Sequence, residues 1–117
     1  MAVVARDPVA LEGLVGLVTA LGHRVAATVA PRPPVDGDDA CVLWDAERLA
    51  ASDIEWLRLL VANRPGREVV ILDSFPRGDI SRTARAAGAT AVLGRPVALE
   101  SLAGVLDRPG GVPDART

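Results

Sequence analysis

The chain has 117 residues, enough for one domain with a real hydrophobic core. Half of it is hydrophobic and 24% is charged, which excludes a disordered chain. Net charge is −2, and the arginines spread from Arg6 to Arg116 without forming a stripe, so no direct nucleic-acid or anionic-membrane partner is expected.

In chain order, Ala2-Val3-Val4-Ala5 is a short apolar run that predicts a strand buried on both faces. Asp7-Pro8 reads as an N-cap followed by proline at the first helical position. Leu11, Leu14, Val15, Val18 and Leu21 keep the spacing of one helical face, and Gly22 is placed to end the helix. Val25 to Val29 predicts a second strand. Residues 31–39, Pro-Arg-Pro-Pro-Val-Asp-Gly-Asp-Asp, cannot form a helix of any length.

Cys41-Val42-Leu43-Trp44 predicts a third strand ending at Asp45. Ser52-Asp53-Ile54-Glu55 has the form of a capping box, and Leu57, Leu60 and Val61 carry a helical face toward Pro65-Gly66. Val69 to Leu72 predicts a fourth strand. Asp79 is expected to open an alanine-rich helix closing at Gly88. Ala91-Val92-Leu93 predicts a fifth strand. Leu99, Leu102, Val105 and Leu106 mark a last helix, and residues 108–117 are expected to be a flexible tail.

The one cysteine, Cys41, lies within an apolar run and is expected to be a small buried filler. Nothing resembles a signal peptide, and no apolar stretch approaches the roughly 20 residues of a membrane span. A cytoplasmic location is therefore expected. His23 has no second histidine or cysteine near it and is expected at the surface. Trp44 and Trp56 are expected to pack in or against the core. No glycine-rich phosphate loop follows the first strand, which argues against a nucleotide site.

Five apolar strands separated by long connections argue for a parallel sheet covered on both sides. In such open sheets the functional crevice lies beyond the carboxyl ends of the strands. Those ends carry Arg6 and Asp7, Asp45, Asp73 with Ser74, and Arg95. This cluster is the most informative feature of the sequence.

Three segments carry a resemblance. Arg6-Asp7-Pro8-Val9-Ala10-Leu11-Glu12-Gly13-Leu14 is similar to the opening run of response regulators that carry helix-turn-helix outputs. Val42-Leu43-Trp44-Asp45 resembles the third strand of a receiver domain with its phosphoacceptor aspartate. Gly88-Ala89-Thr90-Ala91-Val92-Leu93-Gly94-Arg95-Pro96-Val97 resembles the Gly-Ala…Lys-Pro segment that closes such domains. Residues 2–107 as a whole resemble the CheY-like receiver domain, a flavodoxin-like α/β fold. That resemblance implies a five-stranded parallel sheet of order 2-1-3-4-5, helices on both faces, and a domain over residues 1–107. The helix usual between strands two and three is expected to be missing. Nine extended residues reach roughly 30 Å, so segment 31–39 can still make the crossover. The sheet face it leaves is expected either to be filled by side chains such as Trp56 or to form an interface.

The family's chemistry, as the resemblance implies it, uses a carboxylate pair for Mg²⁺, an aspartate for the phosphoryl group, a Thr or Ser hydroxyl and a lysine. Aligned through Pro8, this chain places Ala5 and Arg6 where the acidic pair belongs, with Asp7 just beyond. Asp45 stands at the phosphoacceptor position, Asp73 at the hydroxyl position with Ser74 next to it, and Arg95 replaces the lysine. A one-residue shift would make Asp7 and Asp45 metal ligands and Ser74 the hydroxyl, at the cost of the Pro8-to-Leu14 match; Mg²⁺ is expected only under that alternative. Under the first alignment, Arg6 and Arg95 are expected to pair with Asp45 and Asp73, the alternative being loop charges that make no mutual contact. Val92 stands where receivers often carry a switching aromatic, and the Arg95-Pro96 bond is expected to be cis as in the family's Lys-Pro.

The expected function is an atypical pseudo-receiver that works by contact with a protein partner or a second copy, with no cofactor and no enzymatic activity. The alternative is a single-domain response regulator phosphorylated on Asp45. A third reading, a crevice that binds or converts a small molecule, has no nucleophile–base pair behind it.

Overall fold

Residues 1–95 and 99–106 are described by the structure, a computed structural model. They form β1 (Ala2–Ala5), α1 (Pro8–Ala20), β2 (Ala26–Val29), β3 (Cys41–Glu47), α2 (Ala51–Asn63), β4 (Glu68–Asp73), α3 (Gly78–Ala86), β5 (Ala91–Gly94) and α4 (Leu99–Leu106). All strand pairs are parallel, as the apolar strands predict, and the order is β2-β1-β3-β4-β5, as the resemblance implies. The expected tail and the Arg95-Pro96 bond lie outside the described residues. No helix among the described residues is long and apolar enough to cross a membrane.

Alternation of side chains along the strands builds two cores. On one face Leu11, Leu14 and Val18 of α1 and Leu102 and Leu106 of α4 pack on Val3, Leu43, Val70 and Leu72. On the other, Ile54, Leu57 and Leu60 of α2 and Ala84 of α3 pack on Val42, Trp44, Val69 and Ile71. Each fully buried side chain of this size contributes about 1.5–3 kcal/mol.

Local chemistry sets the helix ends. The Asp7 side chain accepts the Val9 N–H at 3.0 Å, and Pro8 takes the first helical position of α1. Gly22, at φ 91°, turns the chain away after Leu21. The start of α2 differs from the expected capping box at Ser52. The helix begins at Ala51, and Asp53 reaches back to accept the Ala50 N–H at 2.9 Å. Ala50 has no side-chain acceptor, so only the acidic half of such a box exists. Helix α3 begins at Gly78, one residue before Asp79, and β3 continues two residues past Asp45, to Glu47. His23, expected at the surface, is half-buried.

No helix forms between β2 and β3. Instead the connector lies across the α2 side, and its carbonyls are collected by side chains from elsewhere. Trp44 Nε1 donates to Pro31 O at 3.2 Å and Trp56 Nε1 to Pro33 O at 2.7 Å. Asn63 Nδ2 donates to Val35 O at 2.8 Å. The buried Arg67 guanidinium donates to Val35 O and Leu60 O, each at 3.2 Å, and to Gly37 O. Arg32 pairs with Asp53 at 3.0 Å and lies over the Trp56 ring. Pro33 is buried and Val35 packs against the core. Strand β2 receives no such cover: all four of its residues are exposed. Cys41, which opens β3, is half-buried; its thiol is pushed up to about 11 by burial and, secondarily, by the charge of Glu68.

Candidate functional site

The carboxyl ends of β1, β3, β4 and β5 bring the charged cluster together. Asp45 sits on the central strand β3 and is 1% exposed. Its Oδ1 accepts the Glu47 N–H at 3.1 Å. Its Oδ2 is paired with Arg95 Nη1, from the loop after β5, whose side chain is 32% exposed. Both oxygens of Asp45 are therefore engaged, one by a backbone donor and one by a fixed positive charge.

The hold on the Glu47 N–H has a conformational consequence. Glu47 has φ 60°, the one non-glycine residue in the left-handed region among the described residues. Its carbonyl accepts the Ser74 N–H at 2.6 Å, which ties the β3–α2 loop to the β4–α3 loop. Its side chain turns toward solvent, where Oε2 lies 3.5 Å from Arg6 Nε, with side chains 46% and 59% exposed. An exposed pair of this kind adds at most a few tenths of a kcal/mol.

Arg6 does not meet Asp45 or Asp73, contrary to expectation. It leaves the sheet after Ala5 as an exposed side chain, Asp45 is already saturated, and Asp73 is sealed inside. Asp73 is 0% exposed; its Oδ1 accepts the Phe75 N–H at 2.9 Å, and its Oδ2 has no hydrogen-bond partner among the described residues. Neither arginine neutralises it. Ala5 is buried and offers no ligand atom, while Asp7 is exposed and spent on the N-terminus of α1. Ser74 is half-buried beside Asp73, and Val92 is half-buried in β5. Pro96 lies outside the described residues. No group of three or more His, Cys, Asp or Glu side chains converges as a metal site among the described residues.

Three participants were not marked by the sequence. Glu47 and Arg48 line a cavity of about 230 Å³ with Arg6 and Ala46. Phe75, the only phenylalanine in the chain, is 67% exposed with the Arg48 guanidinium 5.9 Å from its ring centroid. The lone aromatic after Asp73-Ser74 was a usable signal; the left-handed turn at a glutamate was not.

No protein-family model matches the chain, and no curated protein matches it in sequence. Solved structures do. A Burkholderia pseudomallei protein described as pilus assembly-related superposes at TM-score 0.81 with 25% identity, over 93% of this chain and 87% of that one. A Burkholderia thailandensis protein described as a pilus assembly protein gives 0.81 at 23% identity, over 92% and 93% of the two chains. A response regulator receiver domain protein from Clostridium thermocellum gives 0.75 at 19% identity, over 91% and 89%. Together with the strand order, these likenesses establish that the chain has the fold of the response regulator receiver domains.

Proposed function

We propose that this receiver-fold chain is a contact module in signal transduction, one that acts on a protein partner in the cytoplasm without Mg²⁺-dependent phosphorylation. The observation that carries the reading is the state of Asp45, buried and with both oxygens committed to the Glu47 N–H and Arg95. Phosphoryl transfer needs a free attacking oxygen and a cation over the transferring oxygens. Mg²⁺ in turn demands a near-octahedral set of oxygens. The residues around Asp45 do not fit it: Ala5 has no ligand atom, Arg6 brings positive charge, Asp7 caps α1, and the Glu47 carbonyl is taken by Ser74. On this reading Arg95 replaces the metal as the permanent counter-charge, and no cofactor and no reaction are assigned to the crevice. The two pilus-related proteins of the same fold accord with a role in which the domain serves an assembly by contact.

One observation favours a second reading, a response regulator phosphorylated on Asp45: the aspartate stands toward the carboxyl end of the central strand. Intact mass after incubation with acetyl phosphate and Mg²⁺, beside an Asp45→Asn variant, separates the two. The contact-module reading expects no phosphoryl adduct and no change in tryptophan emission on adding Mg²⁺. An adduct that disappears in Asp45→Asn would overturn it.

A further inference from the structure

The β3–α2 and β4–α3 loops, at the carboxyl edge of the sheet, present one exposed aromatic ring among guanidinium groups that have no carboxylate. Phe75 is 67% exposed, and Arg48 stacks on it at 5.9 Å. Arg77 Nη2 donates to Leu49 O at 3.0 Å, which holds a second guanidinium beside the residue that follows Arg48. A Cβ on Gly78 would lie 3.4 Å from Arg82 Nη1, so a third guanidinium sits over the start of α3. Arg6, Arg32, Arg58 and Arg95 each have a carboxylate within 4.0 Å; Arg48, Arg77 and Arg82 have none among the described residues, a state they share with Arg24, Arg64, Arg67 and Arg85, and what sets them apart is their place around Phe75, on the two loops and α3. Asp79, on the first turn of α3, is the one acid in that turn and makes no ion pair with them. A single exposed apolar side chain is ordinary. An exposed ring carrying one unpaired arginine, with Arg77 and Arg82 on the segment that follows it, is the composition of an interface centre.

We propose that Phe75, Arg48, Arg77 and Arg82 form a docking surface for a short acidic segment of a protein partner, one that carries an apolar or aromatic residue. Charge complementarity selects this occupant. Three unpaired guanidiniums favour carboxylates over any basic segment, and the Phe75 face takes one apolar side chain. A second copy is the weaker fit. Its exposed acids are scattered, at Glu12, Glu55, Asp79 and elsewhere, and the close pair Asp36 and Asp38 neighbours Val35, whose side chain is already packed against the core. Nucleic acid is disfavoured because the chain carries net charge −2 and this patch offers only three cations. The cavity lined by Arg6, Glu47 and Arg48 adjoins Arg48 and gives the segment room to continue.

The proposal rests on the contact-module reading and names the partner's chemistry. Its test is fluorescence anisotropy of the intact chain with a fluorescein-labelled peptide of glutamates around a central Leu-Phe pair. The same peptide with glutamine for glutamate is the reference. The acidic peptide is expected to bind about tenfold more tightly than the glutamine form, and less tightly as salt rises. Phe75→Ser and the double variant Arg48→Glu/Arg77→Glu are each expected to lose about tenfold, whereas Arg58→Glu, on α2, keeps the affinity. Far-ultraviolet dichroism identifies any variant that fails to fold, and Arg82→Glu then takes its place. Equal binding of both peptides, or undiminished binding by the folded variants, overturns the proposal. Self-association abolished by Phe75→Ser also overturns it and gives the surface to a second copy. A phosphoryl adduct on Asp45 would remove the contact-module reading and leave the peptide result standing, so the two failures are distinguishable.

Discussion

At Asp45 a carboxylate has been taken almost completely out of water and compensated by one guanidinium and one backbone N–H. Breaking one side of such a pair is costly, because it leaves the remaining charge buried; removing both sides is nearly neutral. Arg95 is about a third exposed, so water can partly replace it and the penalty falls toward the lower part of the range. Arg95→Met is therefore expected to cost about 1–3 kcal/mol in urea unfolding. The double variant Arg95→Met/Asp45→Asn is expected to recover most of that loss. A double variant no more stable than Arg95→Met would mean that the pair is not the cause. Asp73 lies in the same interior without an arginine, so two aspartates that the sequence made equivalent have different electrostatic surroundings.

The connector between β2 and β3 shows how an element can be lost without exposing the core beneath it. Its carbonyls are satisfied by donors 13 to 32 residues away, on β3, α2 and the turn before β4. Arg67 contributes most, reaching two connector carbonyls, Val35 O and Gly37 O, as well as Leu60 O of α2 from a buried position. Arg67→Leu keeps the apolar bulk and removes the donors, which is expected to cost about 2–4 kcal/mol. Hydrogen exchange should accelerate over residues 31–39 while β4 keeps its protection. Unchanged exchange in the connector would show that packing of Pro33 and Val35 alone suffices. Such long-range bonding also marks the limit of what the sequence displays. The five strands, Asp7-Pro8 and the Gly22 stop were legible because short-range apolar runs and turn chemistry encode them, whereas the strand order came only from the resemblance to receiver domains. Cover by Trp56 was legible as one of two alternatives; its bond to Pro33 O and the whole part played by Arg67 were not, because the donors are far from the carbonyls in the chain. Likewise, the four charged strand ends named the site, but which arginine meets which carboxylate depends on burial. Arg6 runs out to Glu47, a residue placed by its left-handed turn.

Across the whole molecule, cover decreases toward one edge. Strands β3 and β4 are central and have helices on both sides, whereas β2 is an edge strand exposed along its length. In a parallel ladder the N–H groups of alternate residues face the same neighbour. Ala26 N–H donates to Met1 O at 2.8 Å and Ala30 N–H to Ala5 O at 2.9 Å, so Ala27 and Val29 point their N–H groups away from β1. The strand between them is neutral and has no proline or lysine to discourage pairing. Amide exchange followed by nuclear magnetic resonance should therefore grade across the sheet. Val70, Ile71 and Leu72 of β4 should exchange only with global unfolding, and Ala27 and Val29 at close to the rate of an open chain. Slow exchange at Ala27 and Val29 in dilute protein would mean that the edge is covered within the chain itself. Protection there that rises with protein concentration would instead mean that β2 pairs with the β2 of a second copy, and the molecule would then have two contact surfaces, one of backbone at β2 and one of arginine and phenylalanine at the loops.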